Sequence, residues 1–207
     1  MKILSRIQEV IKTLVESGIN IDVKLAILKT LDNNCDLINS VKINPEYSFT
    51  EFKVLLEIQV REYCIIEICS FIDEYEHFFN QKYVEEEYSS KILELRKFLK
   101  PFFKEINCNY NLKEYRNHIL AHNHRINSKS ILMGDVIKIY QFPKSTSEFL
   151  SLKIIIDLIL RVIIKEFRAN LEKDLFDDKV IMSGKIKFDR GEKKFNIKKL
   201  ADLYYSK

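Results

Sequence analysis

The sequence predicts an all-α protein, a bundle of four to six helices, on three observations. Glycine and proline are scarce, at 4 and 3 of 207 residues, and both disfavour helix interiors. Apolar side chains recur at three- and four-residue intervals along most of the chain, which is the spacing of one helix face. The composition, 46% hydrophobic and 31% charged, is that of a folded domain, and a chain of this length can enclose a core without disulfides.

Each helix is expected from its own apolar repeat and its end signals. The predicted helices cover, in chain order, about residues 2–16, 21–42, 50–82, 85–101, 111–125 and 147–175. Gly18 is expected to end the first helix, and Pro101 to bend or end the fourth. Before the last of these helices, the segment 136–140 could form a short strand because it is β-branched and aromatic.

The basic charge of the chain is concentrated near its end. Residues 184–199 contain seven cations and two acids, whereas the net charge of the whole chain is only +4. We therefore predict a helical bundle over residues 1–178 and a basic C-terminal appendage over residues 179–207, with a small hairpin and a last helical turn at about 197–205. A basic tail attracts phosphate without sequence preference, but many ordinary solvated tails are equally basic. The weak candidates for nucleic-acid contact in this appendage are Lys193, Lys194, Lys198 and Lys199.

Two features predict a cytoplasmic protein with no membrane association. The first 18 residues carry charges throughout and lack the apolar stretch of a signal peptide. The four cysteines have no CxxC spacing and are expected to be reduced.

Residues 149–167 are strongly apolar, but they contain four charges at four-residue intervals: Lys153, Asp157, Arg161 and Lys165. Because that many charges are costly in hydrocarbon, this stretch predicts a bundle helix with one polar edge.

One short segment, residues 112–125, concentrates side chains that can do chemistry. It contains three of the four histidines, His118, His122 and His124, together with Arg116 and Asn117. Histidine takes up and releases protons near neutral pH, arginine offers a fixed cationic fork to phosphate oxygens, and asparagine both donates and accepts. Together they suit cleavage of a phosphodiester, which needs proton transfer and stabilisation of developing negative charge.

The pair Arg116-Asn117 followed by His122-Asn123 resembles the R-polar-x4–6-H signature of the HEPN superfamily, and within it the abortive-infection-type members. The long helices predicted before and after the motif agree with that resemblance. It implies a helical bundle that forms a homodimer and cleaves RNA without a metal or other cofactor, leaving 2′,3′-cyclic phosphate ends. It also implies a role in phage defence or in a toxin–antitoxin pair, with an antitoxin or regulatory protein as a further partner.

The resemblance also implies roles for individual residues. His122 would transfer protons, Arg116 would stabilise the phosphorane, and Asn117 would position the phosphate or orient His122. The neighbours His118, Asn123 and His124 are auxiliary candidates.

Three other interpretations of the segment stay open. His118 and His122 stand four residues apart, a spacing that can hold a metal ion, although no glutamate follows His118 and Arg116 would repel a cation. A non-catalytic HEPN module would use the same residues to bind a nucleotide or a partner protein. In a purely structural role, Arg116 would pair with an acid on another helix, and the histidines would lie exposed at a helix end.

Two acids of the third predicted helix, Glu67 and Asp73, interrupt its apolar pattern. They either face the site, form part of a solvated edge or pair with a lysine.

Overall fold

A computed structural model of the chain describes residues 5–33, 49–117, 125–126, 129–130, 140–171 and 196–206. This part contains six α-helices: α1 (Arg6–Asn33), α2 (Phe49–His77), α3 (Ser89–Asn109), α4 (Leu112–Tyr115), α5 (Thr146–Phe167) and α6 (Ile197–Tyr205). Short 3-10 turns cover Glu86–Tyr88 and Arg168–Asn170, and two-residue strands, β1 (Arg125–Ile126) and β2 (Lys129–Ser130), pair antiparallel. The prediction of an all-α bundle is confirmed.

Helix α5 is the central element of the bundle. It packs against α1, α3 and α6, and α2 packs against α1. Its apolar side chains are buried around most of the helix circumference, including Phe149, Leu152, Ile155, Ile156, Ile159, Ile163 and Phe167. A helix that is apolar on nearly every side must be enclosed by neighbours, which explains why three other helices pack against it.

The polar edge predicted on α5 is partly closed by α1. Lys153 is only 6% exposed, and its Nζ lies 2.8 Å from Asp22 Oδ2 of α1 and 2.5 Å from Asp157 Oδ1 of α5. Burial raises the pKa of Asp157, and the nearby Lys153 charge opposes that rise. Because a buried charge without a partner would be strongly destabilising, this ion pair fixes the register of α1 against α5.

Gly18 does not end the first helix, contrary to expectation, because α1 runs without interruption from Arg6 to Asn33. The glycine is buried where α1 crosses α5, and a Cβ atom at this position would lie 2.7 Å from Cδ1 of Leu160. The first two predicted helices are therefore one helix as far as Asn33. Because Gly18 has no side chain, α5 can pack closely against α1 at this point. The glycine does not form a turn.

Two other helix ends differ from the predictions. Helix α3 continues across Pro101 to Asn109, with Leu99, Phe102 and Phe103 buried on either side of the proline. Burial of these side chains outweighs the lost hydrogen bond and steric cost of proline, about 3 kcal/mol. Helix α2 ends at His77, several residues early, and Arg96 of α3 donates to the carbonyls of Tyr75 and Phe79 at this end.

The C-terminal helix α6 agrees with the predicted last helical turn, and it packs against α5. The predicted strand residues 136–139 and the predicted hairpin near residue 190 lie outside the described residues, and Tyr140 is in irregular chain. None of the described helices combines the length and apolarity that crossing a membrane requires.

We expect Gly18→Val to lower the free energy of unfolding by about 1–3 kcal/mol, the usual cost of overpacking a core. The added side chain would be forced against Leu160. Urea denaturation measures the change. Asn20→Val is the matched control, because Asn20 is exposed on the same helix, and equal losses in both variants would contradict the packing explanation.

Candidate functional site

The segment before the predicted motif is held by contacts with α5 and the chain that leads into it. The backbone N–H of Asn111 donates to the carbonyl of Gln141 at 2.8 Å. The hydroxyl of Tyr110, which is buried, donates to Glu148 Oε1 at 2.9 Å. Glu148 also closes the capping box at the start of α5 with Ser145. One carboxylate thus joins the start of α5 to the start of the candidate site.

Tyr115, the residue before the motif arginine, anchors the short helix α4. Its side chain is 1% exposed, and its ring stacks on Phe142 with centroids 4.5 Å apart. Burial raises the pKa of Tyr115, and the charge of Glu62 on α2 and a hydrogen bond to it raise the pKa further. Since four residues are too few for a stable helix in isolation, the position of Arg116 depends on this anchor.

Arg116 belongs to a cluster of four charged side chains between α2 and α4, which we call the charge cluster: Asp73, Glu76, Lys113 and Arg116. Arg116 Nη1 lies 2.5 Å from Asp73 Oδ2, and Lys113 Nζ lies 2.8 Å from Asp73 Oδ1 and 2.6 Å from Glu76 Oε2. The two acids are three residues apart on α2, and the two cations are three residues apart in the segment that starts at α4. Equal spacing on the two segments places each acid against a cation.

The charges in this cluster stabilise one another in spite of partial burial. Burial raises the pKa of Asp73, but hydrogen bonds from Lys113 and Arg116 and their positive charges outweigh it, so the pKa lies below its ordinary value. Burial lowers the pKa of Lys113, but Asp73 and Glu76 outweigh this effect, so that pKa lies above its ordinary value. Asp73 and Lys113 are therefore both charged at neutral pH.

Arg116 and Asn117 lie side by side and are joined directly. Arg116 Nε donates to Asn117 Oδ1 at 3.1 Å. The backbone N–H of Arg116 donates to the carbonyls of Leu112 and Lys113, so Arg116 continues the turn of α4. Together with the bond to Asp73, the described contacts use two of the five N–H donors of the guanidinium. The fork of Arg116 is thus oriented from one side by Asp73 and from the other by Asn117.

The remaining predicted motif residues, His118, His122, Asn123 and His124, lie outside the described residues, as do Lys193 and Lys194. Lys198 and Lys199 are exposed on α6. The start of α6 contacts α3, because the backbone N–H of Asn196 donates to Glu105 Oε1 at 2.8 Å. Within the part of the chain that the structure describes, no group of three histidine, cysteine or acidic side chains is arranged to hold a metal ion.

Of the two acids singled out on α2, only Asp73 faces Arg116, and this is the pairing with an acid on another helix that a purely structural role for Arg116 also predicts. Glu67 instead pairs with Lys24 of α1, at 3.0 Å. One helical turn before Asp73, the buried Cys69 lies near the charge cluster, and burial raises the pKa of its thiol to about 11, against the charge of Arg116. Lys113 and Glu76 were not among the predicted site residues. Their matched three-residue spacing with Arg116 and Asp73 is the signal in the sequence that indicates them.

Comparisons of this chain with models of known protein families, with curated proteins and with solved structures find no match in any of the three.

We expect Asp73→Asn to lower the free energy of unfolding by about 1 kcal/mol at pH 7, a value reduced for partial solvent exposure. Because the pKa of Asp73 is lowered in the folded state, its contribution is present above the unfolded pKa, near 4. It is lost as the pH falls through the lower folded value.

Urea denaturation at pH 7 and at pH 3 or below should therefore show a difference between wild type and variant that shrinks in acid. Glu94→Gln on the exposed side of α3 is the control. A difference of the same size at both pH values would contradict the assignment of an ionised Asp73.

Proposed function

We propose that this chain is a metal-independent endoribonuclease of the HEPN type that acts in phage defence or in a toxin–antitoxin system. One observation carries the proposal: Arg116, the first residue of the motif, directly follows the anchored helix α4, and its guanidinium is oriented by Asp73 and Asn117. An arginine fixed in this way provides a preorganised charge for a phosphorane, without the cost of ordering a flexible side chain during the reaction.

In this mechanism, His122 removes the proton from a ribose 2′-hydroxyl, and the resulting oxygen attacks the adjacent phosphorus. Arg116 stabilises the negative charge that develops on the phosphorane oxygens, and Asn117 positions the phosphate. The 5′-oxygen of the next nucleotide leaves and takes a proton from water, and His122 releases the proton it accepted to solvent, so that the products are a 2′,3′-cyclic phosphate and a 5′-hydroxyl. A homodimer would bring two such motifs to one cleft, and an antitoxin or regulatory protein would control access to it.

The test is cleavage of a mixed RNA pool in EDTA by wild type, His122→Ala and Arg116→Ala, with thermal melting to show that each protein is folded. We expect wild type to cut in chelator and leave cyclic phosphate ends. Each substitution should lower the rate by about a hundredfold or more, the usual contribution of a proton-transfer or charge-stabilising group.

His77→Ala serves as the matched control, because His77 is exposed at the end of α2 and should leave the rate unchanged. Activity that disappears in EDTA and returns with a divalent ion would favour the metal site at His118 and His122 and overturn the proposal. Full activity in the folded His122→Ala variant would also overturn it.

A second candidate is a non-catalytic module that binds a nucleotide or a partner protein. The contacts of Arg116 with Asp73 and Asn117 favour it equally, because they also preorganise a phosphate-binding side chain. In that case wild type would not cut RNA, and Arg116→Ala would weaken nucleotide binding while His122→Ala would not. Isothermal titration with a nucleoside triphosphate distinguishes the two candidates.

A further inference from the structure

Helix α3 has a row of three exposed lysines on the side away from the core. Its buried side is formed by Ile92, Leu95, Leu99, Phe102, Phe103 and Ile106. Lys97, Lys100 and Lys104 are all exposed, and their spacing of three and four residues places them in one row. The row extends for about 10 Å along the helix axis, at 1.5 Å per residue.

The other two cations of α3 that face neighbouring helices already have structural partners. Lys91 donates to the carbonyl of Glu166 at the end of α5 and lies over the ring of Phe167. Arg96 donates to carbonyls at the end of α2. By contrast, no carboxylate within the described residues forms an ion pair with Lys97, Lys100 or Lys104. Like charges at this spacing destabilise a helix slightly, and a bound anion would relieve that repulsion.

These lysines line a groove between α2 and α3 with a volume of about 460 Å³. Its wall also includes Arg96 and Glu76, so the lining contains three more cations than carboxylates. The rings of Tyr75 and Phe103 form its floor and stack with centroids 4.0 Å apart. Both rings are buried, so they support the groove rather than protrude into it.

The groove reaches the charge cluster directly. Glu76 lines the groove and binds Lys113, Lys113 binds Asp73, and Asp73 binds Arg116. A polyanion that lies along the α3 lysines would therefore approach the cluster that orients the motif arginine. Since Glu76 is neutralised by Lys113, it opposes such a ligand only weakly.

We propose that this groove binds the sugar-phosphate backbone of single-stranded RNA and leads it towards Arg116. The inference rests on the proposed function for its choice of RNA. Lysine binds phosphate as a point charge without reading sequence, and a basic groove that follows one strand is a common way to hold single-stranded nucleic acid.

The experiment measures binding separately from cleavage. Fluorescence anisotropy of a labelled, mixed-sequence single-stranded RNA is recorded in EDTA with His122→Ala as the parent protein, over a series of salt concentrations. The groove variant adds Lys97→Gln, Lys100→Gln and Lys104→Gln. The control variant adds Lys12→Gln, Lys29→Gln and Lys165→Gln, which remove the same charge from exposed positions on α1 and α5.

We expect the groove variant to bind about tenfold or more weakly, with a salt slope smaller by about 2, the value for three lost phosphate contacts on a single strand. The control variant should change both quantities far less. Equal losses in the two variants, or an unchanged groove variant, would overturn the proposal. The proposal would also be overturned if duplex RNA bound at least as tightly as the single strand. Displacement of the RNA by polyglutamate at equal charge would overturn it too, and would indicate an acidic protein partner.

The outcome is distinguishable from that of the proposed function. If wild type cuts RNA but the groove variant binds as the parent does, the groove proposal fails and the ribonuclease proposal stands. If no protein cuts RNA but only the groove variant loses binding, the groove proposal stands and catalysis fails.

Discussion

Enclosure of α5 is the constraint on which the other parts of the structure depend. Burial of apolar surface contributes roughly 25 cal/mol per Å², and α5 has apolar side chains on most of its circumference. Helices α1, α3 and α6 supply that cover. Helix α1 can approach α5 closely at Gly18 because this residue has no side chain, and a side chain there would meet Leu160. The buried charge of Lys153 then fixes α1 along α5 through Asp22 and Asp157.

The position of the candidate site follows from that arrangement. Glu148 forms the cap at the start of α5 and accepts a hydrogen bond from Tyr110, so the chain entering α4 is attached where α5 begins. Tyr115 then stacks on Phe142. On its other side α4 meets α2 through the charge cluster. Arg116 is thus held between the start of α5 and the C-terminal end of α2, although its own helix is only four residues long.

Two groups of cations that Glu76 links differ in their partners. Lys113 and Arg116 are paired with acids, and the pairing keeps the charges of the cluster in place. The exposed lysines of α3 have no such pairing within the described residues. A paired cation is oriented but partly neutralised, whereas an unpaired one attracts anions over a Debye length of about 8–10 Å. This division suits a surface that collects a polyanion at one place and positions one phosphate at another.

The sequence alone determined the all-α class, the apolar central helix and the segment that contains Arg116, because helical periodicity and local residue density are properties of short stretches of chain. It also indicated Asp73 as an acid that could face the site. Only the tertiary structure decided that Gly18 lies within a helix and that α3 continues through Pro101. It also decided that Asp73, not Glu67, meets Arg116. At Gly18 and Pro101 the local tendency of the residue competes with packing against a neighbour distant in sequence, and the burial gained from that neighbour is the larger energy. At Asp73 the choice depends on which cation the fold brings opposite each acid, and the sequence of α2 alone does not contain that information.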